Sequence, residues 1–436
     1  MNNPESQAVH VLYGRTGITL RLPAGTDLLQ GQDVPALPAP QEAIRAALAA
    51  PIGTASLAEL LRRKGPRRVA ITVSDITRPV PNRDFLPALL SVVEAAGVPD
   101  AAVVIVIGTG MHRPSTPAER ERIVGPEVLA RYEVVDHRAE AAETLVQVSQ
   151  NPPVRVCRRF AEADFRIVTG YIEPHFMAGF SGGRKGVCPA LVDLATVQRF
   201  HGYETLSHPA AENGVLEGNP CHQVALDIAR LVGVDFLFNV AVTRQRRIAG
   251  VYCGDLTQAH EAGCRQVAQW TQARVEQPYD LVITNGGGYP LDQTFYQTVK
   301  GMCGALPALH SGSTLLVLSD CAEGLGSPAY ADLVLGYGRD WPRFLAEAAA
   351  NPALTRLDQW QLQMQCRVLQ RLGVDRLRVA TDGLPAELLA RLAVTPVPGA
   401  GTAAERAQRW LDQTLAASPR LRLAAIPEGP YTMLVR

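Results

Sequence analysis

The sequence predicts an α/β protein built of two α/β domains, with mainly parallel sheets and the active site in the cleft between them. Three observations predict it. Short apolar, β-branched runs alternate with longer stretches whose apolar residues recur every three to four positions, the pattern of strands interleaved with helices. The alternation stops and restarts near Gln277-Pro278, and 436 residues suffice for two or three domains at roughly 100–200 residues each. The composition, 47% hydrophobic with 42 Lys+Arg against 42 Asp+Glu, supports a sizeable core.

The elements follow in chain order. Residues 8–22 read as a hairpin, and the Pro- and Gly-rich remainder of the first forty residues is expected to wrap the first domain. Strands are predicted over residues 68–73, 102–107 and 165–169. A helix is predicted over residues 84–96, where apolar residues at 85, 86, 89, 90 and 93 keep a period near ~3.6. A long helical pattern over residues 256–275 precedes the boundary, which gives domains 1–276 and 277–436. Beyond it, strands are predicted over residues 281–284, 313–318, 377–380 and 431–435. Helices are predicted over 385–392 and 403–416, with 393–402 a loop between them. No tandem repeat of solenoid period is present.

Composition excludes several functions. Disorder calls for fewer apolar residues and more net charge, and a nucleic-acid surface calls for excess Lys/Arg. The longest aliphatic run, Val103–Ile107, falls far short of the roughly 20 residues of a membrane helix. No signal peptide is expected, because the N-terminus lacks a basic start and an apolar core. Eight cysteines stand apart with no CxxC pair, which suits a reduced cytoplasm better than a disulfide framework. The sequence assigns no oligomeric state.

Sites in open α/β sheets form beyond the carboxyl ends of strands, and four unusual segments lie there. Ser74-Asp75-Ile76-Thr77-Arg78-Pro79 is either a turn or a ligand loop in which Arg78 clamps a carboxylate. Gly108-Thr109-Gly110-Met111-His112-Arg113 places His112 at a strand end, as a surface residue or as a general acid/base. The third segment runs from Glu173 to Gly186. Its Ser181-Gly182-Gly183 has the small residues of an anion cradle, with Arg184 and Lys185 following. A neighbouring guanidinium disfavours the ammonium form and so prepares Lys185 as a nucleophile; the alternative is an ordinary ionic lysine. His201, sixteen residues after Lys185, is either a metal ligand or a core histidine. In the fourth, Asn285-Gly286-Gly287-Gly288 leads to a helix beginning near Asp292, on which Tyr296 and Lys300 share a face with Gln297 beside them.

In this order, S-D-x-T-R-P, G-T-G-x-H-R, E-P-H-x-x-A-G-F-S-G-G-R-K and D-Q-x-x-Y-Q-x-x-K resemble the lactate racemase family, the nickel-pincer-nucleotide-dependent 2-hydroxyacid racemases and epimerases. The resemblance implies a nickel-bearing pyridinium mononucleotide, made by separate biosynthetic enzymes and joined to Lys185 by a thioamide. It implies His201 as the one protein ligand to nickel, and His112 and His175 as the acid/base pair. Arg78 would hold the substrate carboxylate, assisted by Gln297 and Lys300. Asp75, Thr77, Ser181, Gly182, Gly183 and Tyr296 would neighbour the cofactor. Met177 and Trp360 would shape the substrate's pocket. The expected partner is a small 2-hydroxy acid, lactate first, with no nucleic acid and no membrane.

The chemistry requires such a set. The α-hydrogen of a hydroxy acid is poorly acidic beside a carboxylate. Leaving as hydride is easier when the hydroxyl proton leaves to a neutral histidine. The planar 2-keto acid can then be reduced on either face, so two bases are expected. Two other readings stand beside this one: a nonredox enzyme acting on a carboxylate or phosphate, and an inactive hydroxy-acid-binding homologue.

Overall fold

The computed structural model describes residues 6–436 and divides them into two compact units. The first comprises Asp33–His201 and Ala210–Trp270. The second comprises the chain up to Gln32, Gly202–Pro209 and Thr271–Arg436.

The first unit is organised by a six-stranded sheet. In spatial order its strands are Ile248–Gly254, Phe236–Val242, Phe165–Tyr171, Val69–Ser74, Val103–Gly108 and Glu133–Asp136. All neighbours run parallel except Ile248–Gly254, which pairs antiparallel with Phe236–Val242. Val69–Ser74 is buried along nearly its whole length, as a central strand covered on both faces must be. The helix Asn82–Ala95 buries Phe85, Leu86, Leu89, Leu90 and Val93, so the predicted apolar stripe is its core face. The long helical pattern 256–275 ends earlier than expected: helix Gln258–Thr271 gives way to strand Gln272–Arg274, which pairs with Met433–Val435.

The second unit holds an all-parallel sheet in the order Thr395–Pro396, Leu377–Ala380, Leu309–Leu318, Tyr279–Asn285, Leu423–Ala425 and Asp27–Leu28. The last strand corrects part of a sequence expectation. The N-terminal segment up to Gln32 belongs to the second unit; only from Asp33 on does it lie on the first, where Leu37 N donates to Ile248 O at 2.8 Å. The hairpin Ser6–Val11/Ile18–Pro23 turns Val9, Val11, Leu20 and Leu22 inward, where they share a core with Leu281, Ile283, Leu316 and Leu411. Period-two alternation buries one hairpin face, and that face needs a sheet partner far along the chain. The predicted helix over 385–392 is reduced to Ala386–Leu389, while the one over 403–416 forms as Ala403–Ala417 behind a Thr402–Glu405 capping box.

Candidate active site

Three adjacent strands of the first unit, Phe165–Tyr171, Val69–Ser74 and Val103–Gly108, run parallel and end at one sheet edge, with Ser74 level with Gly108. The chain adds strands on one side of Val69–Ser74 and later on the other, through Phe165–Tyr171. Such a reversal of strand order opens a crevice at the carboxyl ends. Three of the four segments singled out in the sequence lie at this edge.

Asp75 is buried and grips His112. Its Oδ2 lies 2.6 Å from His112 Nδ1, and its Oδ1 accepts from Thr77 Oγ1 at 2.6 Å. Burial pushes the carboxyl up, but the hydrogen bond and charge of His112, with Thr77 and Arg78, outweigh it and hold its pKa below the ordinary value. An ionised carboxylate only accepts, so the shared proton sits on Nδ1 and Nε2 keeps its lone pair. The His112 side chain is 53% exposed, on a loop that rests on the 183–190 segment through Gly110 N donating to Ala190 O.

His175 is held in the opposite sense. It sits in a two-residue pairing of Pro174–His175 with Gly179–Phe180. Its Nδ1 accepts from the backbone N–H of Met177 at 3.3 Å and of Ala178 at 3.2 Å, so the proton lies on Nε2. Lys185 Nζ stands 3.3 Å from that Nε2. The lysine occupies the 3-10 turn Gly183–Gly186, and its pKa is pushed down to about 7, first by burial and then by the charges of Arg184 and Arg78. The sequence pointed to Arg184; burial is the larger cause.

Lys185 Nζ lies 5.5 Å from the Phe200 ring centre, and the His201 ring packs edge-on against Phe200 at 4.5 Å. His201 Nδ1 donates to Val197 O at 2.9 Å, which leaves Nε2 as the lone-pair nitrogen. Burial, and then Lys185, push its pKa down to about 3. His201 is therefore a neutral imidazole with its tautomer fixed by a backbone carbonyl, the condition a metal-ligating histidine requires. Among the described residues no group of three or more His, Cys, Asp or Glu is placed to hold a metal.

The Ser181-Gly182-Gly183 segment serves the loop itself. Ser181 Oγ donates to Tyr171 O and accepts from Glu173 N, both at 3.0 Å, and Gly183 N donates to Asn239 Oδ1 at 2.8 Å. At Gly183, with φ +54°, a Cβ would stand 2.5 Å from the His260 ring. The fully buried Arg184 turns away from Lys185, donating to Ala178 O at 2.6 Å and packing its Nη1 3.1 Å from His260 Nε2. Sequence reasoning missed Asn239 and His260. They lie 56 and 76 residues from their partners, and no motif marks them.

The fourth segment lies in the second unit. Its helix begins at Phe295, not near Asp292. Asp292 belongs to a preceding 3-10 turn and is buried, its Oδ2 accepting from Gly14 N at 2.7 Å and from Asp320 N at 3.3 Å. Tyr296 and Lys300 are still one turn apart on Phe295–Gly304. Trp360, on helix Gln359–Leu372, donates its Nε1 proton to Tyr296 Oη at 2.7 Å. Gln297 Oε1 is buried with no hydrogen-bond partner, a cost of about 1–3 kcal/mol that a ligand donor would remove.

Comparison with known proteins gives the family and the fold. The family profile of the lactate racemase N-terminal domain matches residues 13–214, and that of the lactate racemase C-terminal domain matches residues 275–430. The lactate racemase of Thermoanaerobacterium thermosaccharolyticum is 30% identical over 412 residues, covering 91% of this chain and 90% of that protein. The lactate racemase of Lactiplantibacillus plantarum is 35% identical over 333 residues, covering 76% and 77%. The solved structure of the T. thermosaccharolyticum lactate racemase apoprotein superposes with a TM-score of 0.89 at 28% identity, over 99% of this chain and 100% of that one. A Thermotoga maritima protein of 15% identity shares the fold with a TM-score of 0.67, over 91% of this chain and 98% of that one. The chain belongs to the lactate racemase family of isomerases.

Proposed function

We propose that the protein interconverts the two configurations of a small 2-hydroxy acid, lactate first, through a planar 2-keto acid. One observation carries the reading. Two histidines with opposite tautomers and a lysine of lowered pKa lie on the loops after neighbouring parallel strands, and a neutral histidine with a fixed lone pair stands beside that lysine at the end of helix Leu194–Phe200.

The residues present fit the nickel-pincer nucleotide that the family resemblance implies. Lys185 offers an amine with a substantial uncharged fraction near neutral pH, as attachment requires. His201 offers one imidazole nitrogen to a metal that arrives with its own donors. The chemistry such a group supplies is reversible acceptance of a hydride.

The chain's own residues do the rest. Arg78 neutralises the carboxylate, and the family resemblance adds Lys300 and Gln297 as substrate residues. Lactate's hydroxyl proton passes to His112 Nε2, whose lone pair the Asp75 carboxylate fixes by holding Nδ1–H. His175 provides the second ring for the other configuration. Met177, buried two residues after that ring, would bound the side-chain pocket as the family resemblance implies. The eight cysteines are all buried and free, and no helix among the described residues is long and apolar enough to cross a membrane. Both support a reducing cytoplasm, where the enzymes that make the cofactor would meet this chain.

The test is chiral chromatography of lactate incubated with protein from a host that makes the cofactor. Either enantiomer should approach an equal mixture, and His112→Ala and His175→Ala should each stop it. A wild-type protein carrying the Lys185 adduct but inert on lactate and on longer 2-hydroxy acids would overturn the proposal.

A further inference from the structure

Asn219 stands at the head of helix Pro220–Val232 and is fully buried. Its Oδ1 accepts from the backbone N–H of Cys221 at 2.9 Å and of His222 at 3.2 Å, which caps the helix. A cap needs only that acceptor, and Ser, Thr or Asp would supply it as well. Asparagine adds two N–H donors, and both are used. One goes to Met177 O and the other to Val215 O, each at 2.9 Å. Two N–H groups facing the oxygen and two carbonyls facing the nitrogen leave the amide a single orientation.

The bond to Met177 O reaches beyond the cap. The C=O of Met177 and the N–H of Ala178 belong to one planar trans peptide group, so they point in opposite directions. Holding the oxygen aims the N–H, and that N–H donates to His175 Nδ1 at 3.2 Å. The chain of hydrogen bonds runs from the first turn of the helix, through the Asn219 amide and one peptide group, to the ring. Each member polarises the next. The Val215 bond braces the same turn from another side. A Cβ at Gly179 would stand 2.1 Å from Val215 O, and Gly214 N donates to Gly179 O at 2.9 Å. Arg184 Nη2 holds Ala178 O, but that oxygen belongs to the following peptide group.

We propose that Asn219 is a positioning residue for His175: its side-chain amide aims the Met177–Ala178 peptide at Nδ1, and so sets the ring's orientation and keeps its hydrogen on Nε2. The inference rests on the role given to His175 under Proposed function, and it adds a residue that acts on that ring through Met177, 42 positions away in the chain. The other contacts of the ring, among them the Met177 N–H at 3.3 Å from Nδ1, stay in place when Asn219 is changed and set the baseline.

The test uses full-length, cofactor-free protein labelled with nitrogen-15 in histidine and alanine. Asn219→Ser keeps a capping oxygen but is too short to reach Met177 O. Asn219→Asp keeps the shape and the cap, and its carboxylate has no hydrogen to donate. In the wild type, NMR should show His175 with its hydrogen on Nε2 and its Nδ1 coupled across the hydrogen bond to the Ala178 amide. In each variant that coupling should disappear, and the population with hydrogen on Nδ1 should rise about two- to ten-fold, the worth of one hydrogen bond. Urea unfolding of the same samples separates this from a cap: lost stability with an unchanged His175 spectrum would make Asn219 structural only and overturn the proposal. So would a wild-type His175 with its hydrogen on Nδ1 or without the Ala178 coupling, a result that needs no variant to fold. In cofactor-loaded protein, Asn219→Ser should lower kcat for lactate about two- to ten-fold with KM held; an unchanged kcat would overturn the positioning role. The spectra involve neither substrate nor cofactor, so they succeed or fail independently of the racemase reading.

Discussion

The loops carrying His112 and His175 flank the same central strand, yet they hold their rings in opposite ways. His112 is half-exposed and gripped at Nδ1 by a buried carboxylate, so Nε2 carries a lone pair. His175 is more enclosed and receives two backbone N–H groups at Nδ1, so Nε2 carries the proton. Residue type alone makes the two equivalent; their partners leave a lone pair at one Nε2 and a hydrogen at the other. A reaction that treats both faces of a planar intermediate needs two rings, each able to take a proton as a neutral imidazole and return it as an imidazolium.

The largest expected break in this comparison removes the residue that touches only one side of it. Lys185→Ala should abolish the covalent adduct altogether, read by intact mass, and racemisation with it. A modified Lys185→Ala protein would show that attachment lies elsewhere.

Next is Asp75→Asn, which replaces the acceptor at His112 with an amide and releases the tautomer. We expect kcat to fall by about 10²–10³, within the range of general acid–base contributions, with a shifted pH profile. Unchanged kcat with raised KM would instead make Asp75 a binding residue only. The same pair has a stability signature. The Asp75 carboxyl sits below its ordinary 3.8 in the fold, so its contribution to stability is present above that pH and is lost as the pH falls through the lower folded value. In His112→Ala this acid limb should flatten, as followed by urea unfolding between about pH 5 and 2.

Gly183→Ala sharpens the comparison from the side of the scaffold. The new methyl would meet His260 at 2.5 Å, on a backbone with φ +54°. A loss of about 1–3 kcal/mol in unfolding free energy is expected. The smallest effect is assigned to Trp360→Phe in the second unit. It removes the donor to Tyr296 but keeps the ring, and should change kcat/KM by about two- to ten-fold, the worth of one hydrogen bond.

Much of this was legible in the sequence. The strands Val69–Ser74, Val103–Gly108 and Phe165–Tyr171 announced themselves by continuous β-branched runs, and the loops after them by residue types that turns alone do not need. The helix face of Tyr296 and Lys300 survived a start displaced from Asp292 to Phe295, because spacing within a helix does not depend on where it begins. What escaped was long-range. Nothing local told that the N-terminal hairpin packs with Leu281 and Ile283, or that Asp27–Leu28 closes the second sheet. Asn239 and His260 brace the Gly182–Gly183 turn from strands and helices that carry no motif. Asp75 was expected beside the cofactor, and its grip on His112 across 37 residues needed coordinates to be seen.

The central claim is that the α-hydrogen of the substrate leaves as hydride and returns to the same molecule. The most direct measurement is the racemisation of L-lactate carrying deuterium on C2, in ordinary water, with cofactor-loaded wild-type protein and mass analysis of the D-lactate formed. Retention of deuterium in D-lactate is the predicted result. Its loss to solvent at the rate of racemisation would mean proton abstraction at carbon, and would contradict the account.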